Sequence, residues 1–339
     1  MDLLLIKDKN GKYGYMDYFG KTVINFMYRR ANEFAEGLAS VTNNIGSFYI
    51  DMENKRVSPI YQSAYNFSEN GLALVKKDNK YYFIDLSFNI KISVPLGYKP
   101  KPFKGKFAPL EDINTKTYLL LDQEGDTHAN SLILRKVQGV SEGIIRVKRP
   151  SKGNYISTNY LNEDLKVIAS GFARGIDFQN GYAGVSTGKI GIWGFIDYEG
   201  NTVIEPKYAE VRSFSQDGIA AVRNKFSSNW SFIDVESNIV MENKFRFEDA
   251  DTFSEGLCPI CLKTRNEFLL EYSGDELIND RWGFIDQHGD LKINPIFDKV
   301  DKFKNGVAKV YSNGKFSYIN QSGEFVGGAP LRPSRIMCK

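Results

Sequence analysis

The chain has 339 residues, a formal net charge of +3, 42% apolar residues and 25% charged ones, a balance that excludes wholesale disorder. That length suits two ordinary domains or one repeat array. Aromatic residues reach 14%, with 24 Phe, 19 Tyr and 30 Gly, which favours strands joined by tight turns over helices.

The opening stretch "MDLLLIKDKNGKYG" carries an acid at Asp2 and only a short apolar run before Lys7, so it reads as neither a secretory signal nor a membrane span. Three cysteines agree with a reducing compartment, and the expectation is a cytoplasmic chain. From there one phrase recurs: an aromatic, a small or polar residue, a second aromatic or aliphatic, Ile or Leu or Met, then Asp or Asn. It reads "YGYMD" from Tyr13, "FYID" from Phe48 (one residue contracted), "YYFID" from Tyr81 and "YLLLD" from Tyr118. It continues as "WGFID" from Trp193, "WSFID" from Trp230, "WGFID" from Trp282 and "FSYIN" from Phe316, with a worn copy, "NYLNEDLKVI", at residues 159–168.

A second phrase follows each first one by about twenty residues. Its copies include "FAEGLASV" from Phe34, "FSENGLALV" from Phe67, "VSEGIIRV" from Val140, "FSQDGIAAV" from Phe214, "FSEGLCPI" from Phe253 and "FKNGVAKV" from Phe303; "FKGKFAPL" from Phe103 is degraded. Between the phrases stand Ile or Val and often a proline with an aromatic, as in "VIEPKY" and "INPIF". The spacing predicts about nine units of roughly 35 residues.

Strand side chains alternate, so in "WGFID" Trp193, Phe195 and Asp197 share one face and Gly194 and Ile196 the other. A glycine there lets a neighbouring backbone approach closely. Asp followed three residues later by Gly ends the strand in a turn: Asp17 with Gly20, Asp197 with Gly200, Asp286 with Gly289. Each unit therefore reads as three short antiparallel strands plus a proline-containing connection. A unit that small cannot bury its own apolar faces, and stacked copies supply each other's core.

The pattern of aromatic-Gly-aromatic-Ile-Asp-x-x-Gly, then Val-Ile, Pro-x-Tyr and Phe-Ser-Glu-Gly-Leu-Ala-x-Val resembles the WG-repeat family of bacterial proteins. The resemblance is sharpest at residues 11–41, 193–222 and 282–310. It implies an all-β, repetitive fold and no shared catalytic residues. The repeat-defining positions are Tyr13, Gly14, Asp17, Trp193, Gly194, Asp197, Trp230, Asp234, Trp282, Gly283 and Asp286. The expected architecture is all-β, with the units in an open, curved, solenoid-like array; a closed β-propeller-like arrangement is the alternative. Residues 1–85 form well-kept repeats and residues 86–170 divergent ones with a basic surface. Residues 171–329 return to the pattern with an insertion near 262–280, and residues 330–339 are a tail.

Candidate chemistry is thin. His288 occupies a turn slot, and His128 lies in a worn loop. Cys258 and Cys261 have metal-like spacing but point to opposite faces of a strand, so they read as small buried hydrophobes. The recurring Asp and Glu residues belong to turns, whereas acid–base catalysis needs an asymmetric pair. No catalytic residue, metal site, cofactor or obligatory small molecule is expected, and the chain reads as non-enzymatic.

Function is expected where the copies differ. Residues 86–152 hold 12 Lys or Arg against 6 Asp or Glu, and the lysines Lys99, Lys101, Lys104 and Lys106 cluster there. The insertion carries Phe268, Leu269 and Tyr272 among charges. Together these residues suggest docking of a protein with acidic character, in a binding scaffold or inhibitor such as a toxin-neutralising immunity protein. The alternatives are binding of carbohydrate or cell-envelope polymer by exposed aromatic rows and, against the low net charge, nucleic-acid binding. No membrane insertion is expected.

Overall fold

The computed structural model describes residues 3–128, 134–150, 156–188, 191–225, 229–241, 246–265 and 278–326. Every regular element among them is a β-strand, and every strand pairing is antiparallel. No helix long and apolar enough to cross a membrane occurs among them. The chain divides into two compact units, Met1–Gly171 and Phe172–Lys339.

Both recurring phrases form strands, but each strand pairs with the other phrase of the neighbouring copy. The Gly-Leu-Ala strand Ala183–Thr187 lies against the Trp-Gly strand Ile192–Ile196 that follows it, in the register Ala183↔Ile196 to Thr187↔Ile192. The Trp-Gly strand then pairs with its own Val-Ile strand, Thr202–Val211. The sequence repeat is thus half a period out of phase with the sheets. Three strands per unit is an undercount. The residues beyond the Val-Ile segment form a short extra strand that joins the next sheet, as Arg30–Ala31 does with Ala39–Thr42 and Asp249–Ala250 with Leu257–Arg265. Most complete sheets therefore have four strands, in chain order.

Eight sheets are present among the described residues, one of them seven-stranded. That one joins two repeats through the ten-residue strand Thr202–Val211, which pairs with Ile192–Ile196 on one side and Ala220–Asn224 on the other. The sheets thus account for nine repeats. The divergent residues 86–170 follow the same plan: Ile144–Pro150 pairs with Ile156–Leu161, and Asn162 takes the turn position held elsewhere by Asp. Open and closed arrangements of such sheets satisfy these pairings alike.

The core consists of layers between successive sheets. Within the first unit, Tyr15, Ile24 and Tyr28 of the first sheet pack with Phe34, Ala39, Val41 and Phe48 of the second. In the second unit, Phe195, Ile204 and Tyr208 pack with Phe214, Ala220 and Val222, and Phe284, Ile293 and Phe297 with Phe303, Ala308 and Val310. The Phe that opens each second phrase crosses to the second aromatic of the preceding first phrase. Ring centroids lie 4.8 Å apart for Tyr15–Phe34, 4.7 Å for Phe83–Phe103, 4.8 Å for Phe195–Phe214 and 4.9 Å for Phe284–Phe303. Each such pair adds roughly 0.5–1.5 kcal/mol beyond its area burial.

The glycine of the Trp-Gly pair has a specific task. A Cβ on Gly14 would lie 2.5 Å from the Ile24 carbonyl oxygen; on Gly194 or Gly283 it would meet the Ile204 or Ile293 oxygen more closely still, and the nitrogen of Pro206 or Pro295 at 2.8 Å. In all three sheets the Val-Ile strand bulges across this glycine, with shifted register on either side.

Candidate functional site

On most sheets the short strand and the Gly-Leu-Ala strand are joined by a Phe-x-x-Gly-type turn, which carries one to three polar residues. In the turn Ala35–Leu38 the two end residues exchange both backbone hydrogen bonds, at 2.9 and 3.0 Å, while Glu36 and Gly37 take φ of 52° and 73°. Those are the left-handed values that a two-residue type I′ hairpin turn requires. Glu142 and Glu255 sit in the same conformation, at φ of 53° and 52°, where Asn180 and Asn305 stand in other copies. Asparagine tolerates that region more readily than glutamate does.

Successive turns are tied together. The Ser68 hydroxyl donates to the Phe103 carbonyl at 2.9 Å, the Asn180 amide to the Phe214 carbonyl at 2.8 Å and the Ser254 hydroxyl to the Phe303 carbonyl at 2.7 Å. The Glu255 carboxylate reaches the next turn as well, accepting from the Gly306 N–H at 2.9 Å. This stacking opens a concavity in each unit. In the first, the turns beginning at Phe67, Phe103 and Val140 line a cavity of ≈ 550 Å³ whose polar wall includes Ser68, Glu69, Lys104, Ser141 and Glu142. In the second, four turns line one of ≈ 290 Å³, with Gln179, Asn180, Gln216, Asp217, Glu255 and Lys304 among its residues. The sequence marks these residues only as turn formers; their convergence depends on how the sheets stack.

The four lysines of the basic stretch are all exposed, but they do different things. Lys99 lies on the short strand Tyr98–Pro100, opposite Glu111. The Lys101 ammonium stands 5.6 Å from the centre of the Tyr118 ring, and Lys106 pairs with Glu163 at 2.5 Å. Lys104 alone among them lines the turn cavity. The insertion begins as a long hairpin, with Leu257–Arg265 paired to Ile278–Asp286. Phe268, Leu269 and Tyr272, like the tail at 330–339, lie outside the described residues.

Residues that raised catalytic readings are engaged structurally. Asp17 Oδ1 accepts from the N–H of Phe19 at 3.0 Å and of Lys21 at 2.8 Å, and Asp286 Oδ1 from those of His288 and Asp290 at 2.9 Å each. A backbone hydrogen bond from Asn89 holds the Asp85 carboxyl below the usual aspartate range, and the Asn238 side chain does the same for Asp234. His128 Nε2 meets Asp122 Oδ2 at 2.7 Å, and its ring stands edge-on to Phe107. Cys258 and Cys261 are buried free thiols; burial raises both, Cys261 to about 12. A low thiolate population suits packing rather than redox or metal chemistry. No group of three or more potential His, Cys, Asp or Glu metal ligands occurs among the described residues.

Several of the first aromatics of the first phrases are half-buried under a cation rather than displayed in an open row. Lys7 lies 5.0 Å from the Tyr13 ring centre and Lys76 5.4 Å from that of Tyr81, each directly across the strand pair. Trp230 is buried, with the guanidinium groups of Arg212 at 4.4 Å and Arg223 at 5.8 Å. Trp193 and Trp282 are half-buried against the adjoining core layers. The second aromatics, Tyr15, Phe83, Phe195, Phe232 and Phe284, are wholly buried.

Four segments match the WG containing repeat: residues 13–44, 49–81, 193–225 and 282–316. These four segments are WG repeats. The matched segments start on or near a Trp-Gly strand and end beyond the next Gly-Leu-Ala strand, so each WG repeat spans the halves of two sheets. No curated protein sequence matches the chain. Among solved structures, a crystal structure of the eukaryotic initiation factor is similar over 96% of this chain and 94% of its own, at 9% identity and a TM-score of 0.60. Kluyveromyces lactis Hsv2p matches over 74% of this chain and 94% of its own, at 10% identity and a TM-score of 0.40. The first likeness is one of fold alone. The WG repeats build a β-repeat scaffold.

Proposed function

We propose that this WG-repeat chain is a non-enzymatic protein-binding scaffold whose contact surface in Met1–Gly171 is the turn-lined cavity. One observation carries the reading. Turns from three successive sheets open onto a single concavity of ≈ 550 Å³, where Glu69, Lys104 and Glu142 are exposed on hairpin turns, the first two of which are tied by the Ser68–Phe103 hydrogen bond. A pre-formed concave surface with a few convergent polar groups binds without a large ordering cost. Opposite charges on neighbouring turns favour a partner with a matched charge pattern over a polyanion. The burial of the aromatic rows weighs against a glycan platform. Inhibition, including an immunity role, is one form such binding takes.

The test is capture from the source cell's nuclease-treated lysate with tagged wild-type chain and with the Lys104→Glu, Glu142→Lys variant. The expected outcome is a stoichiometric protein that survives high salt on the wild type and is lost from the variant, whose melting temperature stays within a few degrees. Equal capture by the two proteins places binding elsewhere; recovery of salt-labile nucleic acid alone refutes the scaffold reading.

A further inference from the structure

The first WG repeat departs from its two best-kept copies on one strand, and the departure has a consistent chemistry. Its Val-Ile strand, Thr22–Tyr28, forms an edge of the first sheet. Alignment without gaps on the Trp-Gly strands sets Phe19 against Glu199 and His288, Phe26 against Pro206 and Pro295, and Met27 against Lys207 and Ile296. Phe19 is 89% exposed, and Val23, Phe26 and Met27 are exposed with it. Sheet edges are normally blunted by lysine or proline. The copies have Pro206 and Lys207, or Lys292 and Pro295, in this strand, whereas Thr22–Tyr28 contains no charge and no proline.

Charge follows the same division. Lys21, Arg29 and Arg30 bracket the apolar strand, where the copies have Asn201, Ala209 and Glu210 or Asp290, Asp298 and Lys299. The three bracketing positions sum to +3 here and to −1 in each copy. All three cations are exposed, and none has an ion pair among the described residues. In Phe172–Lys339, by contrast, Asp298 at the Arg29 position is already paired with Arg281.

We propose that the turn and strand from Asp17 to Arg30 dock a segment of another protein that carries an apolar stretch with acidic residues on either side. The cations stand at most about 30 Å apart along an extended strand, which sets the spacing of the acids they would meet. Docking is by side chains rather than by an added strand, because the register shifts at two places along Thr22–Tyr28 and breaks the regular edge that ladder extension needs. A second copy of this chain is disfavoured. Antiparallel self-docking would set Lys21 against Arg29 and Arg30, and like charges across an interface are repulsive.

Selection of a random phage-displayed peptide library on the full-length chain tests this. The expected result is enrichment of peptides with an apolar core between acidic residues, with affinity falling as salt rises. The best selected peptide is then measured by fluorescence anisotropy on two variants built from residues the sister repeats already carry. Lys21→Asn with Arg29→Ala and Arg30→Glu is expected to weaken it at least tenfold, and Phe26→Pro with Met27→Lys likewise; Phe26→Lys replaces the second variant should the proline impair folding. Library enrichment without acidic residues, or unchanged affinity on the variants, overturns the proposal. So does concentration-dependent dimerisation abolished by the same substitutions, or co-sedimentation with phosphatidylserine vesicles in place of peptide binding.

Discussion

The first two sheets lie side by side in the chain and answer the same sequence problem differently. In the first, Gly14 stands opposite Ile6 on the neighbouring strand, and the seven-residue strand Thr22–Tyr28 closes over it. In the second, the register Val41↔Phe48 and Thr42↔Ser47 puts Phe48 at the glycine position and Ser47 at the tryptophan position. The phrase there is not contracted; the aromatic has moved one place. Phe48 turns into the core layer shared with the first sheet. No third strand forms beyond it, and only the isolated bridges Ser47↔Tyr61 and Ile50↔Arg56 remain. The comparison teaches that the missing side chain is what the close crossing of the outer strand needs, although an outer strand as such forms without it, as Ile90–Ser93 does beside Tyr82.

Breaking the contrast outright should cost most. Gly194→Val places its side chain in the backbone of Ile204 and Pro206, and a loss of about 4 kcal/mol, or failure to fold, is expected from urea titration. Phe48→Leu, at the same position where nothing passes overhead, should cost no more than about 1.5 kcal/mol. If the two losses are equal, the role assigned to the glycine is wrong. The aromatic pairs sharpen the point for the layers between sheets: a double-mutant cycle on Phe195→Leu and Phe214→Leu should return a coupling of about 1 kcal/mol.

Smaller effects concern the turns. Glu36→Asn relieves a left-handed glutamate and should stabilise by about 0.5 kcal/mol, seen as a raised melting temperature. A fall instead would mean that the Glu36 side chain holds something the backbone alone does not show. The smallest shift is in pH dependence. Asp85 and Asp234 have folded pKa values below the ordinary aspartate range, so the stability they contribute is complete above about pH 4 and is lost as pH falls through the depressed values. Asp85→Asn with Asp234→Asn should flatten that acid limb while the turns persist. Asn162 and Asn320 already make the equivalent bonds at 2.9 Å, to the N–H of Lys166 and of Glu324. An unchanged acid limb would show that other carboxylates govern it.

Much of the candidate site was hidden for the same reason that the strand frame was. Glu69, Lys104 and Glu142 are spread over more than seventy residues, each with a complete local explanation as a turn residue. Nothing in their own segments says that three hairpins open on one cavity. The lysine cluster shows the converse. Proximity in sequence grouped Lys99, Lys101, Lys104 and Lys106, but a strand and a turn send them to Tyr118, to Glu163 and to the cavity wall.

By itself the sequence determined what is local. The turns at Asp17, Asp197 and Asp286 close through a side chain reaching its own backbone within four residues, and the alternation of "WGFID" specifies a strand buried on both faces. Only the tertiary structure decided which strands meet, because hydrogen-bond ladders join the halves of neighbouring repeats and are indifferent to where a sequence period begins. It also decided that the second aromatics are core, that Trp230 lies beside two arginines, and that the outer face of the apolar strand after Phe19 stays bare. Burial is set by what stacks on a face, and a repeat does not contain its own neighbour.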